Sequence, residues 1–489
     1  MKAYHEHPVT ILKYSVKNIW LLIFPLLRGI NVFRINKDFF YAWLKGAWFD
    51  IIILLAIVIF GLLRWRFSVI EVSDASITHM DGIIIRVKQT IPYCNISSTS
   101  FEYPFYLRPI GAVRVRCDTS AGLFQSSDME FMLKKSVCNE LSDKIPKLGS
   151  NGDIYHFTKP SAASVIFLSM FFSSGLTGMI YLATFFYKGG SIARDMISKY
   201  FEQITSSTEE FSKKLILRVP DAILGIGVFF MVTWFISFVI NLLRYSDFSI
   251  CTDKRQIKVS YGVFTRKNYL LTKTHINYLD MRQNLVMKIF RLTTVHISCA
   301  GYGNTRKRLP VLIPVRKEKK VAEELENLGA SAQYEHEYKP KLRGIWQYTW
   351  MPVIVTLFLV PAYFIVSKVI PMLNNLTVFV AIMAEIPAAW MVLIKLVSLF
   401  TSGISIYDDK IRLRYSRFAA FHTIIADRKK LVKVTIEQTF FQQFNKRRNI
   451  IFWFEGEGNR RHKIRAMSEK DTAEILQLLG YEDDICRRS

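Results

Sequence analysis

One stretch of this 489-residue chain occurs three times, and that repetition constrains the fold more than any other feature. A repeat implies one supersecondary unit used again and again, so the copies must be read together. The middle copy, Phe248–Gly303, reads as short β-strands: Ile257 and Val259 alternate with polar neighbours, Tyr261-Gly262 turns the chain, and Val263–Leu271 resumes it. Asn277–Asn284 is a polar corner, and Thr293–Ser298 is a last alternating strand. The first copy, Phe67–Gly122, opens with the same Phe-Ser and sets Asp74 where the middle copy has Asp253. It turns at Gly82, and the spacing from Gly82 to Ile96 equals that from Gly262 to Ile276. The third copy, Gly403–Gly458, keeps Asp408-Asp409, the strand Ile411–Tyr415, Gln438 in answer to Gln283, and the strand Ile450–Phe454. It has no glycine at the first turn.

A helical pattern follows each copy. Ser468-Glu-Lys-Asp471 is a cap-like start to an amphipathic segment in which Ile475, Leu476 and Leu479 share a face before Gly480. Arg316–Gly329 and Ser127–Leu141 are the counterparts. A small antiparallel barrel or sandwich closed by one C-terminal helix is the pleckstrin-homology-like plan.

Between the copies lie long apolar blocks, which account for a hydrophobic content of 51% and 37 phenylalanines. They are Asn18–Phe33, Ala47–Leu63, Ser161–Tyr187, Val219–Leu243, Tyr348–Ile370 and Leu376–Phe400. A spanning helix needs about 20 apolar residues, so the sequence predicts an α-helical membrane protein with about six transmembrane helices in three hairpins. It displays three small PH-like domains, each capped by a C-terminal helix. The predicted boundaries are hairpins at 11–63, 161–243 and 345–400, and PH-like domains at 64–150, 244–335 and 401–485. Two crossings before each domain would put all three on one side. The excess of Lys and Arg over Asp and Glu in the second and third domains predicts the cytoplasmic face of a bacterial inner membrane. The start, MKAYHEHP, has no cleavable-signal pattern, and six cysteines without C-x-x-C spacing predict reduced thiols.

The run Gly262, Ile276, Arg282-Gln283, Phe290-x-Leu292-x-x-Val295-x-Ile297, Ala300-Gly301 resembles the second group of bacterial PH-like membrane proteins, the YdbT-like family. His7-Pro8 ahead of an apolar segment is similar too. The resemblance implies display and binding of anionic headgroups or peptides, a role in envelope maintenance, and a hetero-oligomer with a shorter one-module relative.

No catalytic, metal-binding or cofactor-binding motif occurs: H-E-x-x-H, G-x-S-x-G and the phosphate-loop pattern are all missing. The expected function is therefore a non-enzymatic scaffold binding membrane lipids or a protein partner, without cofactor and without nucleic acid. The candidate binding residues are basic: Arg306, Lys307 and Arg308; Lys410, Arg412 and Arg414; and Lys446, Arg447 and Arg448. Period two puts Lys410, Arg412 and Arg414 on one strand face. Each cation near an anionic leaflet is worth about 1 kcal/mol. The rival reading is a solvated face obeying the positive-inside rule. Glu385, inside an apolar stretch and two residues before Pro387, is the alternative site of a transporter or channel component. Lys395 is expected to snorkel towards the headgroups.

Overall fold

The computed structural model describes residues 2–15, 37–121, 127–144, 156–172, 221–253, 255–302, 310–327, 337–370, 374–407, 409–456 and 461–481. The chain forms two compact units. One comprises Met1–Phe157, Ile250–His275 and Cys299–Arg306; the other comprises Thr158–Ser249, Ile276–Ser298 and Lys307–Ser489.

The first unit opens with β1 (Lys2–His5), then helix α1 (Lys37–Phe67), then β2 (Val69–Val72), β3 (Ser76–Asp81) and β4 (Val87–Pro92). These strands form an antiparallel sheet in the order β1-β2-β3-β4. After a single 3-10 turn at Tyr93–Asn95 come β5 (Ile96–Pro104), β6 (Ala112–Thr119), β7 (Met129–Lys134) and helix α2 (Lys135–Lys144). The residues from 129 to 134, expected to begin a helix, are thus strand. Met129, Phe131 and Leu133 are buried in alternation, and that period lays one apolar face on the core. Ile70, Ile77, Phe101, Val115 and Leu141 complete this core.

Next come β8 (His156–Thr158), helices α3 (Ala162–Phe172) and α4 (Asp221–Tyr245), then β9 (Ser249–Thr252), β10 (Gln256–Tyr261) and β11 (Thr265–Thr272). Here the middle repeat divides. Its first half joins the second half of the first copy in one sheet, ordered β7-β6-β5-β11-β10-β9-β8. The joint is the antiparallel pair β5–β11, with Ser98 opposite Leu271 and Pro104 opposite Thr265.

The second half of the middle copy follows a 3-10 turn at Lys273–His275: β12 (Ile276–Asn284), helix α5 (Leu285–Ile289), β13 (Leu292–Cys299), β14 (Val311–Lys317) and helix α6 (Glu318–Asn327). The third copy has helices α7 (Ile345–Val369) and α8 (Asn374–Thr401), then β15 (Gly403–Tyr407), β16 (Lys410–Arg417) and β17 (Ala420–Asp427). These strands make a second joint, β12–β17, in the sheet β14-β13-β12-β17-β16-β15. A 3-10 turn at Arg428–Lys430 leads to β18 (Leu431–Glu437), helix α9 (Phe440–Phe444), β19 (Arg447–Phe454), β20 (Arg461–Ser468) and helix α10 (Glu469–Leu478). The last three strands form their own sheet, β18-β19-β20.

The equivalence of Gln283 and Gln438 has a structural reason. Gln283 donates from Nε2 to Glu318 Oε1 at 2.5 Å, and Gln438 donates to Glu469 Oε1 at 2.9 Å. Each amide ties its connection to the first residue of the closing helix. At the first turn, Gly82 and Gly262 have φ of 115° and 102°, and Phe418 occupies the same place in the third copy with φ of 51°. A side chain other than glycine there costs about 1–2 kcal/mol.

The expectation of six membrane helices in three hairpins is corrected. Among the described residues, only Leu342–Val369 is both long and apolar enough to cross a membrane, against 20 strands. Ala162–Phe171, Phe229–Tyr245 and Pro387–Thr401 are apolar but shorter, and residues 18–33 and 188–218 lie outside the described residues. Apolar composition alone does not decide what a helix packs against, and here parts of two blocks pack on sheets: α3 lies against β14, and α8 against β16. Sequence reading also missed a strand before each of the first two pairs of apolar blocks and a single bridge before the third. β1 pairs with β2, β8 lies beside β9, and Tyr338 bridges Ile404, so each block leaves and re-enters the same sheet.

Candidate anion-binding cleft

Strand β20 carries the clearest local signal. Arg461, Lys463 and Arg465 alternate with His462, Ile464 and Ala466, and the latter three are fully buried. Period two therefore aims three cations away from the core. Strand β16 packs against β20 and ends at Arg417-Phe418, while Lys395 approaches from α8. Together Lys395, Tyr415, Ser416, Arg417, Phe418, Arg461, Lys463 and Arg465 line a cleft of about 360 Å3. Lys395 donates from Nζ to Ser416 Oγ at 3.4 Å and to the Phe418 carbonyl at 3.3 Å, which fixes its stem along the turn. Glu437 accepts from Arg461 at 2.8 Å and also from Lys463, so one carboxylate serves two of the five cations. These cations hold Glu437 below the usual carboxylate range, chiefly through the Lys463 hydrogen bond.

Beneath the cleft lies a buried polar cluster. The Tyr415 hydroxyl and His462 Nδ1 are 2.7 Å apart, and burial lowers His462 to about 4, so its ring is neutral at neutral pH. Tyr415 stacks on His422, whose Nδ1 is 3.0 Å from Asp280 Oδ1. Arg282 donates from Nε to Asp280 Oδ2 at 2.6 Å. Burial by itself would raise the Asp280 pKa, but His422 and Arg282 hold it well below the carboxylate range. The cluster reaches across the β12–β17 joint and anchors the strand whose end supplies Arg417 and Phe418.

Phe418 is 77% exposed and strained at positive φ, where the first two copies use glycine. Strain of this kind is retained where a side chain is needed for a purpose, and Phe418 forms a wall of the cleft. Phe418→Gly is expected to raise stability by up to about 1 kcal/mol, read as a higher midpoint of thermal unfolding in detergent. An unchanged or lower midpoint would refute the strain.

The sequence-named residues fall elsewhere. Arg306, Lys307 and Arg308 lie outside the described residues. Lys410, Arg412 and Arg414 do share one half-buried face of β16, with Arg414 paired to Glu337. Arg447 and Arg448 are buried: Arg447 donates to the Ala466 carbonyl at 3.3 Å, and Arg448 Nε lies 3.5 Å from Glu469. Lys446 is exposed in the turn before them. Glu385 is half-buried in α8, and its Oε2 has no hydrogen-bond partner among the described residues. The cleft residues Arg417 and Arg465 were not singled out by sequence, although the alternation from Arg461 to Arg465 could have revealed the last strand.

The bacterial PH domain family matches the chain three times, over residues 16–145, 214–330 and 355–483. The chain belongs to that family. Each family match runs from an apolar block through six strands to a closing helix, which is the unit built above. The UPF0699 transmembrane protein YdbT of Bacillus subtilis (strain 168) is 23% identical over 276 residues, spanning 54% of this chain. The match covers 52% of that relative's own length. The chain thus spans about half the length of a relative named as a transmembrane protein. In the other unit, a second basic cleft of about 420 Å3 includes Arg108, Lys135 and Arg266 at the β5–β11 joint.

Proposed function

We propose that this protein is a non-catalytic membrane scaffold whose third PH module binds the phosphate of an anionic lipid headgroup. The observation that carries this reading is the cleft in which Lys395, on the apolar helix α8, meets Arg417, Arg461, Lys463 and Arg465. An apolar helix that ends beside a ring of cations matches the profile of a lipid, tail along the helix and phosphate at its end. Guanidinium groups fit phosphate with two parallel hydrogen bonds, and Phe418 offers apolar contact at the rim. Because each apolar block starts and finishes in one sheet, the modules share a side of the membrane, and their basic excess favours the cytoplasmic side.

The test titrates the full-length protein in neutral detergent with a short-chain phosphatidylglycerol and with its phosphatidylcholine counterpart. The wild type is expected to prefer the anionic lipid, with affinity falling as salt rises. Removing three cations in R417Q/K463Q/R465Q should weaken it roughly 100-fold, at about 1 kcal/mol per cation. Equal affinity for both lipids, or an unchanged triple variant, would overturn the reading.

A further inference from the structure

The two joints inside the chain share one register. Counting from the 3-10 turns, Ile96 follows Tyr93–Asn95, Ile276 follows Lys273–His275, and Leu431 follows Arg428–Lys430. In the first joint Phe101 stands opposite Asn268, and in the second Met281 stands opposite Thr423. Phe101 and Met281 occupy the same place in β5 and β12, and Asn268 and Thr423 the same place in β11 and β17. Each module therefore joins the next by the same pair of strand edges.

Two edges of this type are left over. Strand β18 is the counterpart of β5 and β12, and β4 is the counterpart of β11 and β17. Each is the terminal strand of its sheet, with no strand on its outer side among the described residues. Their exposure is consistent with this. All of β5 is buried apart from half-buried Tyr103, whereas no residue of β18 is buried and Val432 is 63% exposed. In β4 only Ile91 is buried. Leu431 and Val434 pack on the core, so β18 is held as a sheet strand while its outer main-chain edge has no strand beside it among the described residues.

The flanking turns match in the same way. At the first joint, the turn after β5 meets the turn before β11, with the Phe105 and Phe264 rings 6.1 Å apart and Arg108 donating to the Val263 carbonyl at 2.6 Å. At the second, Leu285 packs with Phe421, and Lys288 sits 4.7 Å from the centre of the Phe421 ring. The corresponding turn after β18 displays Phe440, Phe441 and Phe444 at 67%, 77% and 73% exposure. The turn before β4 displays Ile84 and Ile85 at 89% and 77%. Both halves of a third apolar contact are present in one chain, and neither is covered among the described residues.

We propose that the outer edge of β18 in one copy pairs antiparallel with the outer edge of β4 in a second copy, in the register of the internal joints. Ile436 then stands opposite Lys88, and Val434 opposite Thr90. Pro92, which has no N–H to give, falls just beyond the span paired in the first joint. The contact is head to tail, so it extends copies into a ring or a filament and is not limited to a two-fold dimer.

The test uses the full-length protein in native membranes, with Cys94 and Cys486 replaced by Ser. Copies carrying I436C are co-expressed with copies carrying K88C and oxidised. A disulfide needs Cβ atoms about 3.5–4.5 Å apart, which directly opposed strand positions approach and positions two residues off-register do not. The expected result is a mixed dimer, at least about tenfold more abundant than from I436C with T90C. Each variant expressed alone should give none, and K88C/I436C in one chain should give a ladder of higher species. No mixed dimer, or equal yield from the off-register pair, overturns the proposal; so does a dimer from either variant alone.

Discussion

Replacing Asp280 with Ala is expected to destabilise the second unit by about 3–5 kcal/mol, the usual cost of breaking a buried ion pair from one side. Asp280 is 3% exposed and shared by His422 and Arg282, so its loss leaves the buried imidazole and the part-buried guanidinium without their carboxylate. The pH dependence follows from the direction of its shift. Folding holds Asp280 below its unfolded value, so its contribution is fully present above about pH 4 and is lost as pH falls through the folded value. The gap between wild type and D280A in thermal unfolding should therefore be full at neutral pH and shrink only in acid. A gap that stayed constant down to pH 2, or a loss below about 1 kcal/mol, would show that the carboxylate does not hold this joint.

The second large effect is predicted at the other joint. Glu102, 2% exposed, lies 3.3 Å from Lys267 on the paired strand and 3.3 Å from Arg116 on β6. Glu102→Ala should cost the first unit about 3–5 kcal/mol, because the buried lysine loses its neighbouring charge while still paying its desolvation. Glu102→Ala with Lys267→Met should recover part of that loss, since no lysine is then left buried without its carboxylate. Thermal unfolding of the two variants decides the matter. If the double variant is no better than the single one, the energy of this joint resides in its main-chain hydrogen bonds and not in the charge pair.

These two sites show how the repeat is used. Each internal joint buries an acidic residue from the second half of one copy and a basic group from the first half of the next. The middle copy is divided by this arrangement, one half in each compact unit. The sheet joint, and not the single repeat, is the unit of packing.

Much was determined by the sequence alone. The threefold repeat, the alternation of β16, the correspondence of Gln283 with Gln438, and the helix at Glu469–Leu478 were all readable from spacing. Spacing records which side of a strand faces the core, and that information is local. Tertiary structure alone decided which strand edges meet, because edges join through main-chain groups that every residue carries. It alone assembled the cleft, which draws Lys395, Arg417 and Arg465 from a helix and two strands far apart in the chain. It also decided which cations serve the surface: the adjacent Arg447 and Arg448 read like any basic cluster, yet both are turned into the protein, while Arg461, Lys463 and Arg465 line the cleft. Charge can be counted in a sequence, but its exposure depends on what packs over it.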